Sequence, residues 1–316
     1  MQLTQWSHLR QTRFRIPAFT FAFLASALLL QSEMVHAATN TLDRVRQTGT
    51  VKLGYYADAR PLSYLDEAGK PTGYAIAVCQ EIANDLKSAL GNPSLAVDFV
   101  AVTAANRFEL IKQGKIDLLC GPSVPTLARR KDVSYSIPVF PGGLGALLRT
   151  DAPAQVQEVL SGKEPPYRPL WRGSIGLALQ KRTFSAVNGT TSLNWLNAKI
   201  DQFKIDAKVL PVDSTDEGVQ KVLDRTADVL FGERNMLLDA KKRSPSAGDL
   251  IVLDRSFTYE PLAMSLQRGD DDFRLFVDRS LSKLNRSGKV QSLFRDFFGE
   301  PDENTLTFFR LNTVPE

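Results

Sequence analysis

Histidine is nearly absent from this chain. Its two copies, His8 and His36, both fall in an N-terminal stretch that reads as a removable leader. The remainder offers no imidazole for a Ser-His-Asp or Cys-His arrangement and little to hold a transition metal. Cysteine is equally scarce, at two residues, Cys79 and Cys120. In an oxidising compartment pairing is the default for two such thiols, and closing a loop of about 41 residues stabilises a fold by on the order of 4 kcal/mol; two separate buried thiols are the alternative. An excess of either charge is also missing. The net charge is +4, and +2 once residues 1–37, with Arg10, Arg13, Arg15 and Glu33, are set aside. That is too mild to argue for nucleic acid or an anionic membrane as partner. After residue 30 no apolar run is long enough to cross a bilayer, and no low-complexity tract indicates disorder.

What is present begins with a targeting signal. Met1–Arg15 holds three arginines and no acid, Ile16–Leu30 is apolar apart from Pro17, Thr20 and Ser26, and Val35-His36-Ala37 supplies tolerable residues before a cut. That order is the grammar of a secretory signal cleaved after Ala37. A membrane anchor is the competing reading, but an apolar run of about 15 residues falls short of the roughly 20 that span a bilayer. No cysteine stands near the cut, so no lipid attachment is expected there. Residues 38–316 are then exported, and with 43% of the whole chain hydrophobic they can fill one large domain or two ordinary ones.

Strand and helix patterns alternate through this part. Strands are predicted at 51–56, 95–102 and 116–120, with helices at 75–90 and 106–113 between them. Gly142, Gly143 and Gly145 then punctuate an apolar stretch, and a polar, Pro-rich region follows from Asp151 to Pro169. Alternation resumes with strands at 174–179, 209–212, 227–231 and 250–253 and helices at 192–200, 216–224 and 233–242. A strand at 260–266 precedes helices over 271–298, whose Phe273, Phe276, Leu281, Leu284, Leu293, Phe294, Phe297 and Phe298 are expected in a core. Such alternation implies mostly parallel sheets covered by helices on both faces.

The stretch Ile116–Ser136, IDLLCGPSVPTLARRKDVSYS, carries the most chemistry. Ile116–Cys120 reads as a buried parallel strand ended by Gly121 and Pro122, and Thr126 as the N-cap of a short helical turn bearing Arg129. Backbone N–H groups and a guanidinium beyond the carboxyl end of a strand suit a small carboxylate, and ligands of open α/β sheets bind there. The plainer reading is a solvated basic turn of Arg129, Arg130 and Lys131.

Six segments, taken in order, change that weighting: GTVKLGYYADARPLSYLDEAGKPTGYAIAVCQEIA, NRFELIKQGKIDLLCGPSVPTLARRKDVSYS, NGTTSLNWL, ADVLFGERNMLL, TYEPLAMSLQRGDDDF and SGKVQSLFRDFFG. Together they resemble the bacterial extracellular solute-binding proteins of family three, the periplasmic receptors of polar amino-acid ABC importers, over residues 41–299. The resemblance implies an α/β fold of two lobes, each a mostly parallel sheet flanked by helices, joined by two hinge strands and closing on an amino acid in the cleft. It places a signal peptide at 1–37, lobe 1 at 38–144, lobe 2 at 145–261 and a return to lobe 1 at 262–316. No cofactor is expected. The implied partners are the amino-acid ligand and an inner-membrane ABC permease, with the protein itself a monomer in the periplasm.

The resemblance also assigns roles. Arg129 matches the arginine that pairs with the ligand α-carboxylate through two parallel hydrogen bonds. Thr191, with Thr190, lies in the second-lobe loop that also supports the carboxylate; a plain N-cap is the alternative. Glu233 falls where the family usually has an aspartate for the α-ammonium; the alternative is a helix-start acid facing the dipole. Ser123 keeps one hydroxyl in a loop where Pro122 and Val124 replace others. Ala59 stands where many members have an aromatic, and Tyr56 either substitutes for it or belongs to the core. Arg107, after Asn106, either meets an acidic ligand side chain or is a solvated helix start. Between Leu179 and Gly189 the chain is several residues longer than in relatives. Two other functions stay open: an exported cyclohexadienyl (prephenate or arogenate) dehydratase on the same scaffold, with Glu233 as general acid, and a ligand-sensing subunit of a receptor.

Overall fold

The computed structural model describes residues 40–162 and 177–316; the signal peptide expected at 1–37 lies outside the described residues. In chain order the strands are β1 (Thr50–Tyr56), β2 (Asp58–Ala59), β3 (Ser63–Leu65), β4 (Pro71–Thr72), β5 (Ala96–Val102), β6 (Leu118–Cys120), β7 (Val133–Phe140), β8 (Leu144–Arg149), β9 (Thr183–Val187), β10 (Lys208–Val212), β11 (Val229–Glu233), β12 (Leu250–Val252) and β13 (Leu262–Gln267). One large sheet has the order β5-β1-β6-β13-β7 and the other β10-β9-β11-β8-β12, while β2, β3 and β4 form a small third sheet.

Both large sheets are mostly parallel with one strand reversed. β1 is parallel to β5 and β6, and β13 runs antiparallel to β6 and β7. β9 is parallel to β10 and β11, and β8 runs antiparallel to β11 and β12. In each sheet the reversed strand is the one whose chain arrives from the other lobe. β8 follows β7 across Pro141–Gly143, and β13 follows β12 across residues 253–261.

These two crossing segments lie directly against each other. The Glu260 and Phe257 N–H groups donate to the carbonyls of Gly142 and Leu144, each at 2.8 Å, and the Leu144 N–H donates to the Thr258 hydroxyl at 3.2 Å. A Cβ on Gly142 would fall 2.6 Å from the Glu260 carbonyl oxygen, and one on Gly143 2.6 Å from that of Thr258. Glycine is required here because backbone meets backbone.

Each lobe has its own core. In the first, the helices Tyr74–Ala89, Asp271–Arg286 and Lys289–Phe298 pack on the sheet, and Tyr74, Phe140, Phe294 and Phe298 form one aromatic group. Of the C-terminal aromatics expected inside, Phe273 and Phe294 are buried, while Phe276, Phe297 and Phe298 are only partly so and pack at the edge of the same core. Cys79 and Cys120 are bonded to each other and fully buried, tying the helix Tyr74–Ala89 to the end of β6. In the second lobe Leu144, Phe184, Leu196 and Phe231 centre one cluster, and Leu147, Val219, Leu230 and Leu237 another, on opposite faces of the sheet.

Three readings of the sequence need correction. Of the strand expected at 174–179, residues 174–176 lie outside the described residues and Leu177–Leu179 are helical; the described strand is Thr183–Val187. A short apolar run fits either state, and tertiary packing decides it, since Phe184 and Ala186 are the residues that fill the core. The short helical turn bearing Arg129 is a single 3-10 turn, Arg129–Lys131, whose N-cap position is Ala128 rather than Thr126. The strands β7 and β8 and the helix Glu303–Leu311 had no counterpart in the predicted elements.

Candidate functional site

The carboxyl ends of β1 and β6 in the first lobe face those of β9 and β11 in the second, and the candidate residues gather between them. The loop after β6 is fixed first. Cys120 is held by its disulfide, and the buried Ser123 hydroxyl meets that of Ser265 on β13 at 2.9 Å. The Ser123 carbonyl accepts from the Ala263 N–H at 2.9 Å, at the point where the β13–β7 register shifts. A bulge frees that N–H from the ladder, and the loop satisfies it. Ser123 thus directs its side chain into the first lobe's sheet.

Arg129 follows. Its backbone N–H donates to the Thr126 hydroxyl at 3.2 Å, and its guanidinium donates to the Val124 carbonyl at 3.0 Å and to the Gly189 carbonyl of the second lobe at 3.4 Å. Arg107, the first residue of the helix Arg107–Lys112, is buried at 4% exposure. One of its terminal nitrogens donates to the Ala104 carbonyl and the other to the same Gly189 oxygen at 3.0 Å. Both guanidiniums flank the Phe108 ring, with carbon-to-centroid distances of 4.4 Å for Arg107 and 5.5 Å for Arg129. Burial, and then the neighbouring Arg107 charge, hold the Arg129 pKa below its usual value. Arg107 is therefore not a solvated helix start.

Tyr56, at the end of β1, is buried beside these charges. Its ring lies so near Gly121 that a Cβ there would fall 2.5 Å from it. Burial pushes its hydroxyl up to about 12 against the pull of Arg107 and Arg129.

On the second lobe, Thr190 rather than Thr191 caps the helix Thr191–Phe203: its hydroxyl accepts from the Leu193 N–H at 3.4 Å and donates to the Val187 carbonyl at 2.6 Å. The Thr191 hydroxyl is left free of the cap and donates to Glu260 at 2.7 Å; the other Glu260 oxygen accepts from Thr258 at 3.0 Å. Glu233 caps the helix Arg234–Arg243, accepting from the Met236 N–H at 2.9 Å and the Asn235 amide at 3.2 Å. Burial pushes its carboxyl up to about 7, partly offset by those N–H groups and that of Gly143. Met236, held by this cap, reaches across to pack on the first lobe's cores.

The structure thus brings Arg129, Arg107 and Tyr56 together and sets them against the Gly189–Thr191 loop. Glu233 is spent on its own helix, and Ser123 on its own sheet. Sequence reasoning missed Glu260 and the Gly189 carbonyl. An acid at the start of a predicted strand was the trace of Glu260, and a backbone carbonyl leaves none.

The sequence pattern of the bacterial extracellular solute-binding proteins, family 3, matches residues 51–300. The L-glutamate/L-aspartate-binding protein of Pseudomonas aeruginosa is 24% identical over 286 residues, covering 90% of this chain and 88% of its own. The glutamate/aspartate import solute-binding protein of Escherichia coli K12 is 22% identical over 291 residues, covering 92% and 90%. Among solved structures, an ancestral amino acid-binding protein, a precursor of cyclohexadienyl dehydratase, aligns with a TM-score of 0.66 at 24% identity over 82% of this chain and 99% of that one. The cysteine-binding protein of Campylobacter jejuni aligns with a TM-score of 0.65 at 24% identity, over 84% and 96%. These structural likenesses establish the two-lobe fold.

Proposed function

The chain belongs to the bacterial extracellular solute-binding proteins, family 3, and from that premise we propose that it is the periplasmic receptor of an amino-acid ABC importer whose ligand carries two carboxylates. The observation that carries the proposal is the convergence of Arg107 and Arg129 on one oxygen of the opposite lobe. One guanidinium suffices for an α-carboxylate. A second buried cation beside it is expensive unless a second anionic group is bound there too. The relatives from P. aeruginosa and E. coli carry glutamate and aspartate in their names, in keeping with this chemistry.

In this reading Arg129 takes the α-carboxylate, aided by the Thr191 N–H, and Arg107 takes the side-chain carboxylate. Tyr56 walls the pocket, and Glu233, its carboxyl engaged in the helix cap, acts by holding Met236. Thr190 and Ser123 act by fixing their loops. The ligand draws the lobes together because it binds both, which gives the closed form its extra affinity. The loaded protein, a monomer cleaved after Ala37, then delivers its cargo to a permease in the inner membrane.

The dehydratase reading rests on one specific observation, the Glu233 carboxyl held near 7, a value suited to a general acid. Both its oxygens already accept hydrogen bonds from the helix it caps, so binding without chemistry is the reading we adopt. The test is calorimetric titration of unfolded and refolded protein with L-glutamate, L-aspartate, L-glutamine, L-arginine, L-cysteine and prephenate. Tight binding of the acidic pair, recovered unchanged, supports the proposal. Preference for a neutral or cationic amino acid overturns the dicarboxylate assignment, and consumption of prephenate overturns the receptor reading.

A further inference from the structure

The lobes also meet between the hairpin of β2 and β3 and the helix Arg234–Arg243. Ala59 pairs with Ser63, and the Leu62 N–H donates to the Ala59 carbonyl at 3.0 Å, so Arg60 stands at the tip of the turn. Its guanidinium lies over the Tyr64 ring, 3.8 Å from the centroid, and its Nε is buried without a hydrogen-bond partner. That Nε is 4.0 Å from a carboxylate oxygen of Asp239 on the second lobe. The same Asp239 oxygen accepts from Arg243 Nε at 2.7 Å, and Arg243 grips both oxygens of Asp216 at 2.7 and 3.1 Å.

Met236 and Asp239 are three residues apart and so share one face of their helix, while Leu237 and Ala240 fill the second lobe's core from the other. Met236 packs on the first lobe's cores, so the face that carries Asp239 is the one turned to the first lobe. The charges sort the same way. Partial desolvation first, and the Asp216 charge across the gap as well, push the Asp58 carboxyl above its usual value. Without Arg60 the turn would bring only that acid towards the two acids of the second lobe, with Arg243 already committed to both. An exposed pair of long side chains is worth little because both must be ordered; here Tyr64 orders the arginine and Arg243 the aspartate. At 4.0 Å the pair is ionic, about 1 Å beyond hydrogen-bond length, and the unpartnered Nε is the atom that gains a bond if the lobes draw slightly closer.

We propose that Arg60 is a positioning residue: paired with Asp239 it latches the two lobes in the closed form and slows release of the enclosed amino acid, without setting which amino acid that is. The proposal rests on closure of the two lobes over a ligand and is independent of the dicarboxylate assignment. A contact made only when the lobes are closed adds to the difference in affinity between the open and closed forms. Because the ligand escapes through the open form, the effect falls on the rate of release.

The test is a double-mutant cycle of Arg60→Met and Asp239→Asn, read by stopped-flow association and release of L-glutamate and of L-aspartate. Methionine keeps an apolar stem on Tyr64 and removes the charge. Arg60→Met is expected to release both ligands about two- to fivefold faster, the range of a partly exposed ion pair, with association unchanged within about twofold. On the Asp239→Asn background the same substitution changes release by less than about 1.5-fold, and Arg60→Lys alone stays close to wild type. An effect of equal size with and without Asp239, slowed association in place of faster release, or a loss confined to one ligand overturns the latch while leaving the receptor reading intact. A wild type that binds neither acid overturns the dicarboxylate assignment, and the cycle is then read by the same criteria with L-arginine or L-cysteine; a wild type that binds none of the four overturns both. If Asp239→Asn does not fold once Arg243 loses its partner, Arg60→Glu beside Arg60→Met decides: faster release from the Glu variant upholds the latch, and equal rates overturn it.

Discussion

Arg107 and Arg129 share one acceptor: the Gly189 carbonyl oxygen takes a hydrogen bond from each, at 3.0 and 3.4 Å. Both arginines come from the first lobe and the oxygen from the second, so two cations are packed against a single dipole at the line where the lobes meet. The charge of Glu260, held by Thr191 and Thr258, also acts on Arg129 and offsets part of the repulsion. In the proposed reading, an anion arriving at this point completes the balance and so couples closure to binding.

Arg129→Ala is expected to weaken binding of an acidic amino acid by about 2 to 5 kcal/mol, the cost of removing one member of a buried charge pair. Arg129→Lys should recover little, because an ammonium lacks the planar fork. Calorimetric titration decides both, and an unchanged dissociation constant means the α-carboxylate is held elsewhere.

Arg107→Met keeps the stem and removes the charge. Affinity for L-glutamate should fall by about 2 kcal/mol, while affinity for an amino acid with an apolar side chain changes little. A uniform loss for both ligands would instead mark Arg107 as a prop for the Ala104 and Gly189 loops.

Glu233 predicts a pH dependence of stability. Burial holds its folded-state pKa near 7, above the 4.5 of an ordinary glutamate, so the folded form holds more protons between those values. Stability contributed by this group is full below about pH 4.5 and declines as pH rises to 7, by on the order of 3 kcal/mol. Urea midpoints at pH 5 and pH 8 should show the decline in wild type and lose that part of it in Glu233→Gln.

Reduction of the Cys79–Cys120 bond, which closes a loop with a sequence separation of 41, should lower stability by about 4 kcal/mol. Ligand affinity should change much less, because Ser123 still ties the site loop to β13. Melting with and without reductant, followed by titration of the reduced protein, separates the two effects.

Gly143→Ala introduces a Cβ 2.6 Å from the Thr258 carbonyl oxygen. The crossing segments must separate, at about 1 to 3 kcal/mol in stability, and ligand affinity should fall with it because Thr258 positions Glu260. A stable variant with normal affinity would show that the hinge tolerates this spread.

Local signals in the sequence determined much of this protein. Apolar, β-rich runs marked β1, β6 and β11, with Gly121 and Pro122 ending β6, periodicity marked the helices, and six weak segments in order carried the family and with it the two-lobe plan. The arginines at 107 and 129 were visible as well, because a charged residue at a strand-to-helix turn stands out in one dimension. What only the tertiary structure decided were relations between distant parts of the chain. Leu177–Leu179 became helical and Thr183–Val187 a strand because the core needed Phe184. Ser123 and Glu233 turned to partners on their own lobes, since each had a nearer group to satisfy. Arg107 became a buried cation rather than a solvated one because a backbone carbonyl 82 residues away came within reach of its guanidinium. A backbone oxygen has no letter in the sequence, and the sharing of one between two arginines exists only once the lobes have folded against each other.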